Sequence, residues 1–145
     1  MEDRVIRFER GLPGFADERE FLLLDEGEGT PFLTLQSVAH PEIRFIVVSP
    51  FLIYRDYEVN LSDEVTERLG IDQEEDVVIL SIVTVRGELR EATLNLVAPV
   101  VINSRTRRGE QVILEGTPYT TRHPLFPQHT RRKGEADARP EAENQ

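Results

Sequence analysis

Cysteine is absent from the 145 residues, which removes disulfides, thiolate metal ligands, iron–sulfur clusters and a cysteine nucleophile together. A thiol-free chain suits a reducing compartment, and the cytoplasm is expected. Long apolar runs are missing too. No segment approaches the roughly 20 apolar residues of a membrane-spanning helix, and the opening Met1-Glu2-Asp3-Arg4 is charged rather than leader-like; no membrane association is expected. Basic residues are scarce relative to acids, 17 Lys and Arg against 27 Asp and Glu, for a formal charge of −10. Nucleic-acid affinity comes mainly from Lys and Arg neutralising phosphates, so direct binding of RNA or DNA is not expected. Aromatic residues are few as well, at 7%. An oligosaccharide- or RNA-binding OB-like barrel would want a basic, aromatic-lined strand face, and this chain offers little of either.

What is present places the chain among globular proteins with a real core: 39% hydrophobic and 30% charged residues. Its length suits one domain, because two cores would leave each half with too little apolar surface to bury. The domain is expected to span residues 1–128. From 129 to 145 no large apolar side chain occurs, and a disordered polar tail is expected. The tail's basic residues (Arg131, Arg132, Lys133, Arg139) cancel its acids (Glu135, Asp137, Glu141, Glu143), so the net negative charge belongs to the folded part.

Within that part, short runs rich in Val, Ile, Leu, Phe and Thr are bounded by Gly, Pro, Asp or Asn, which is the pattern of strands and turns. Strands are expected at residues 4–8, 20–25, 32–37, 44–48, 77–85, 92–96, 100–104 and 111–114. Residues 86–88 and 107–110 read as hairpin loops, which implies antiparallel neighbours. Residues 77–85 are almost continuously apolar, as a central strand covered on both faces would be. One segment differs. At 62–70, Ser62 can cap a helix, Asp63 and Glu64 suit its positive end, Glu64 and Arg68 are spaced to pair, and Gly70 can end it. A second helical turn is conceivable near 16–19. The expected fold is mainly β: a small antiparallel, partly closed β-barrel with one or two short helices.

Signs of catalysis are sparse. None of Ser37, Ser49, Ser62, Ser81 or Ser104 sits in a Gly-x-Ser-x-Gly elbow. Gly11-Leu12-Pro13-Gly14 lacks the Lys-Ser/Thr of a phosphate loop and reads as a turn. His40, His123 and His129 are widely separated and form no His-x-x-x-His pair, so neither a metal nor another cofactor is expected. The enzymatic alternative would pair His123 with Asp56 or Glu58 as a hydrolase-like couple. We expect no enzyme.

Residues 56–76 are more informative, with nine acids against Arg68 alone, a net −8. Such a cluster repels itself unless it is solvated or meets a basic partner, and both readings stand. Ahead of it, Phe51-Leu52-Ile53-Tyr54-Arg55-Asp56-Tyr57 is either core or an exposed patch. Tyr54 and Tyr57 are candidate contacts because aromatics favour interface centres, although buried structural tyrosines are common.

Several motifs recur in a fixed order: Gly11-Leu12-Pro13-Gly14-Phe15, Pro31-Phe32, Leu35-Gln36-Ser37, Phe45-Ile46-Val47-Val48, Pro50-Phe51 and Asp56-Tyr57. The most specific is Ala92-Thr93-Leu94-Asn95-Leu96-Val97-Ala98-Pro99-Val100-Val101-Ile102-Asn103, followed by Arg108-Gly109, Gln111-Val112-Ile113-Leu114, Tyr119 and Arg122-His123-Pro124-Leu125. On these the chain resembles the FliW family of flagellar assembly factors from Gly11 to Leu125; the tail matches no family feature.

The resemblance implies a small β-barrel protein without catalytic activity, monomeric when free, that binds the RNA-binding translational regulator CsrA and also flagellin. Free protein would hold CsrA off flagellin mRNA, and accumulating flagellin would capture the protein and release CsrA. The alternative is a chaperone for flagellin alone. An acidic protein can oppose RNA binding by covering the regulator's RNA site or by docking beside it, and the resemblance favours the latter. Candidate partner contacts are Tyr54, Asp56, Tyr57, Glu58, Glu64, Glu67, Asn95, Pro99 and Asn103. For Asn95 and Asn103 the competing reading is a turn asparagine that satisfies backbone groups, and for Pro99 a strand edge or bulge.

Overall fold

The computed structural model describes residues 5–12, 14–25, 27 and 29–127; the expected tail lies outside them. In chain order the elements are β1 (Val5–Arg7), β2 (Glu20–Asp25), β3 (Leu33–Ser37), β4 (Arg44–Val48), α1 (Asp63–Leu69), β5 (Val77–Thr84), β6 (Thr93–Leu94), β7 (Val100–Asn103), β8 (Arg108–Gln111) and β9 (His123–Pro124). Hydrogen-bonded neighbours run β4, β3, β2, β1, β8, β7, β5, and β5 returns to β4, so these strands close a barrel. β6 continues from β5 and carries β9. The ring closes through two short seams: Val47 and Val48 opposite Ile82 and Ser81, and a parallel contact of Arg7 with Arg108.

The barrel explains why some strands read as continuously apolar. Successive residues of a strand face opposite sides, and two cores lie on the two sides of the β4–β5–β7 wall. Inside the barrel are Ile6, Phe8, Leu12, Phe21, Leu35, Val47, Leu80, Val100 and Ile102. Outside the wall, Val48, Leu94, Val101 and Val112 pack against Val65 and Leu69 of α1, Tyr57 and Leu125. Val100, Val101, Ile102 and Asn103 are therefore all buried. The central position expected for 77–85 is what β5 has: it pairs with β4 on one edge and with β7 and β6 on the other.

The helix forms for the reasons its sequence suggests. Ser62 Oγ accepts from the Val65 amide at 3.2 Å, Asp63 and Glu64 lie in the first turn, and Gly70 ends the helix at φ 67°; a cap of this kind contributes about 1 kcal/mol. The expected Glu64–Arg68 attraction is present but secondary: Arg68 reaches Glu110 with both Nε (3.0 Å) and Nη2 (2.6 Å). That fork joins α1 to β8. Residues 16–19 form a non-helical turn, with the Glu18 amide donating to the Phe15 carbonyl.

Two turn expectations change. The strand expected at 111–114 is β8, three residues earlier, and the hairpin loop lies ahead of Arg108 instead of at 107–110. The cause is Asn103. Its side-chain oxygen accepts from the amides of Arg105 (2.9 Å) and Thr106 (3.3 Å), and its carbonyl accepts from Arg107, which takes φ 64°. Gly109 is not a turn glycine. A Cβ there would lie 2.7 Å from the ring of Phe8, which is fully buried, so the glycine lets β8 close against the barrel core. The connection after β5 contains the expected 86–88 loop, extended by a 3-10 turn at Leu89–Glu91, and β9 had no expected counterpart.

Two substitutions test this account. Gly109→Ala overpacks against Phe8 and is expected to lower unfolding free energy by about 2 kcal/mol, measured by urea denaturation. Asn103→Leu keeps volume but strands buried carbonyls and amides; a loss of about 3 kcal/mol is expected, with faster amide exchange at the end of α1 and in the 104–107 turn.

Candidate protein-docking face

The acidic segment leaves the barrel after the 3-10 turn Pro50–Leu52 and returns to it at β5. Rings pin its first part. Tyr57 stacks edge-on with Tyr119 at 4.8 Å and tilts against Phe51 at 5.5 Å. Tyr54 and Tyr119 both meet the His123 ring, at 5.7 and 6.1 Å. The hydroxyls complete the attachment: Tyr54 donates to the Pro124 carbonyl and Tyr57 to the Leu96 carbonyl, both at 2.6 Å, and Tyr119 Oη accepts from the Glu58 amide at 3.0 Å. Burial pushes the Tyr54 hydroxyl up to about 12 and Tyr57 higher still, with Tyr119 adding to it. Both remain neutral struts at physiological pH. Burial also lowers His123, whose Nε2 accepts from the Thr120 amide at 2.9 Å. Accepting that bond requires an unprotonated Nε2, so His123 braces the rings, and among the described residues neither Asp56 nor Glu58 hydrogen-bonds to it.

The candidate contacts divide by burial. Asp56, Glu58, Glu64 and Glu67 are exposed, and Tyr54 and Asn95 are half-buried. Tyr57, Pro99 and Asn103 are buried and support the face from beneath. Asn103 Nδ2 donates to the carbonyls of Leu69 (2.8 Å) and Gly70 (3.0 Å), fastening the end of α1 to the wall. Asn95 Oδ1 accepts from the Ala98 amide at 2.9 Å and shapes the loop between β6 and β7. The Pro99 carbonyl accepts from Val112 at 2.9 Å.

Within the charged segment, two acids are committed internally: Arg105 lies 3.3 Å from Asp72 and 3.5 Å from Asp76. Arg68, the segment's single base, is committed to Glu110. Among the described residues no cation lies within ion-pair distance of Asp56, Glu58, Asp63, Glu67, Glu74 or Glu75, while Glu64 feels the Arg68 charge one turn along α1. Glu58 and Glu64 line one open groove together with Glu115 and Ile113. Asn95 sits elsewhere, in a smaller hollow with Thr93, Thr121 and Arg122. The arrangement can attract a basic surface and offers little toward bond-breaking chemistry.

Apolar exposure beside these acids was only half legible. Phe51 and Leu52 are 40% and 64% exposed, and Ile113 is 70% exposed. Residues 111–114 look like a buried strand in the sequence, but the strand ends at Gln111 and leaves Ile113 exposed. Among the described residues no cluster of three or more His, Asp or Glu side chains could hold a metal ion. No helix among them is long and apolar enough to cross a membrane.

Comparison with known proteins gives the same assignment at each level. The FliW protein family model matches residues 1–125. The flagellar assembly factor FliW of Clostridium novyi (strain NT) is 46% identical over 125 residues, covering 86% of this chain and 87% of its own. That of Bacillus subtilis (strain 168) is 40% identical over 124 residues, with coverages of 86% and 87%. A crystal structure of the flagellar assembly factor FliW, 45% identical, superposes with a TM-score of 0.82 over 88% of this chain and 89% of that one. With this barrel, this motif order and these relatives, the chain belongs to the FliW family of flagellar assembly factors.

Proposed function

We propose that the chain is a non-enzymatic partner switch of the cytoplasm. Free, it binds a CsrA-type RNA-binding regulator and prevents it from repressing flagellin mRNA; flagellin then captures it and releases the regulator. Membership of the FliW family supports the assembly role. The observation that supports the regulator half is the exposed acidic face of Asp56, Glu58, Glu64, Glu67 and neighbouring carboxylates, most of them unpaired among the described residues, with Tyr54 at its margin.

Electrostatics suits this division of labour. A surface of several unpaired acids speeds encounter with a basic protein and repels RNA from the complex, without the chain itself binding nucleic acid. Tyr57, Pro99 and Asn103 act as supports in this reading, and Asn95 marks a second surface available to the other partner. The second reading, a chaperone for flagellin alone, is favoured by the exposed Phe51, Leu52 and Ile113, which suit an apolar client.

The test is a regulator–RNA binding assay with the wild type and a variant carrying Glu58→Gln, Glu64→Gln, Glu67→Gln, Glu74→Gln and Glu75→Gln. The variant is expected to antagonise RNA binding on the order of tenfold less well at low salt, with the difference shrinking as salt screens the field. Equal inhibition would reject the acidic face. Flagellin binding with no regulator binding by the wild type would establish the chaperone reading.

A further inference from the structure

The seam between β4 and β5 is short, and among the described residues the β5 edge beyond it has no neighbouring strand. Ser104 donates to the Asp76 carbonyl at 2.8 Å and Asn95 to the Ile82 carbonyl at 3.1 Å, so even-numbered residues of β5 direct their backbone groups toward β7 and β6. Those of Val77 and Ile79 face the opposite edge. There β4 pairs with Ile82 and Ser81 only, because Pro50 turns the chain into a 3-10 helix. The Val77 amide is taken by the Glu74 carbonyl. Among the described residues the Val77 carbonyl and both backbone groups of Ile79 have no partner on that edge.

These groups look into a cleft of about 710 Å³ bounded by Phe51, Val59, Leu61, Ile71 and the Val77–Leu80 stretch of β5, with Glu74 among its lining residues. An unpaired strand edge beside apolar walls is a template for a further strand. We infer that this cleft takes an extended segment of a partner protein, which adds a strand at the Val77–Leu80 edge in line with β4, buries alternate apolar side chains against Phe51, Val59 and Ile71, and carries Lys or Arg at its flanks.

Three observations favour that occupant. The free backbone groups call for another backbone, since side chains alone rarely satisfy a donor and acceptor at strand spacing. The rim is acidic: Glu74 is in the cleft, Glu58 precedes the lining residues Val59 to Leu61, and Glu75 follows Glu74. The chain's own tail does not suit the walls, because residues 129–145 contain no large apolar side chain. This inference deepens the docking role proposed above and rests on it, naming the backbone contact that the acidic face would guide.

The experiment is amide hydrogen exchange of the isotopically labelled full chain by NMR. It is read alone and with a capped synthetic peptide of alternating valine and threonine flanked by lysine pairs. In the free protein the Ile79 amide is expected to exchange at least about a hundredfold faster than those of Val78 and Leu80. The peptide should slow Ile79 by about tenfold or more while a glutamate-flanked peptide does not, and Phe51→Lys should weaken binding by about tenfold with Val78 and Leu80 still protected. An Ile79 amide already as slow as its neighbours, or one unaffected by millimolar peptide, would overturn the inference. Titration with the regulator and with flagellin is read separately, so a peptide-filled edge with neither protein bound would sink the proposed function and leave this cleft assignment standing.

Discussion

The wall formed by β4, β5 and β7 is the constraint on which the rest depends, because it is buried on both faces. Its inward residues Val47, Leu80, Val100 and Ile102 fill the barrel, and its outward residues Val48 and Val101 carry the second core. Burying an aliphatic side chain is worth roughly 1.5–3 kcal/mol, so the wall gains on two sides what an ordinary sheet gains on one. The helix, the tyrosine struts and the C-terminal segment are all mounted on its outer face. Remove that face and the acidic segment has nothing to hold it.

Fastening and the proposed binding fall to different residues. Arg68 and Arg105 are used internally, on Glu110, Asp72 and Asp76, and these partly exposed pairs add little stability beyond their geometry. What they accomplish is positional: α1 is fixed to β8, the turn after β7 is fixed to Asp72 and Asp76 ahead of β5, and most of the segment's other carboxylates have no ion-pair partner among the described residues. The repulsion among those carboxylates is tolerable because the cores beneath supply the stability. A basic partner relieves it, which makes the face attractive to one class of protein and inhospitable to phosphate.

Features governed by local rules were readable in the sequence. The capped helix from Ser62 to Gly70, the two-sided strand β5 and the turn after β1 follow from capping chemistry, apolar continuity and glycine placement. Asn103 and Gly109 were harder, because what each does depends on a neighbour far away in the chain: the end of α1 for one, the Phe8 ring for the other. Reading Gly109 as a turn glycine shifted β8 by three residues and hid the exposure of Ile113. β9 is two residues long and contains a proline, so no periodicity could announce it. For the candidate site, the acidic segment was legible by composition, whereas the split between exposed Asp56, Glu58, Glu64 and Glu67 and buried Tyr57, Pro99 and Asn103 required the fold.

The most direct measurement is a calorimetric titration of the chain with the CsrA-type regulator of its own organism, followed by flagellin into the preformed complex. The account predicts tight binding of the regulator, weakening as salt rises, and its displacement by flagellin. Absence of regulator binding, or a complex that flagellin leaves intact, would contradict the partner switch.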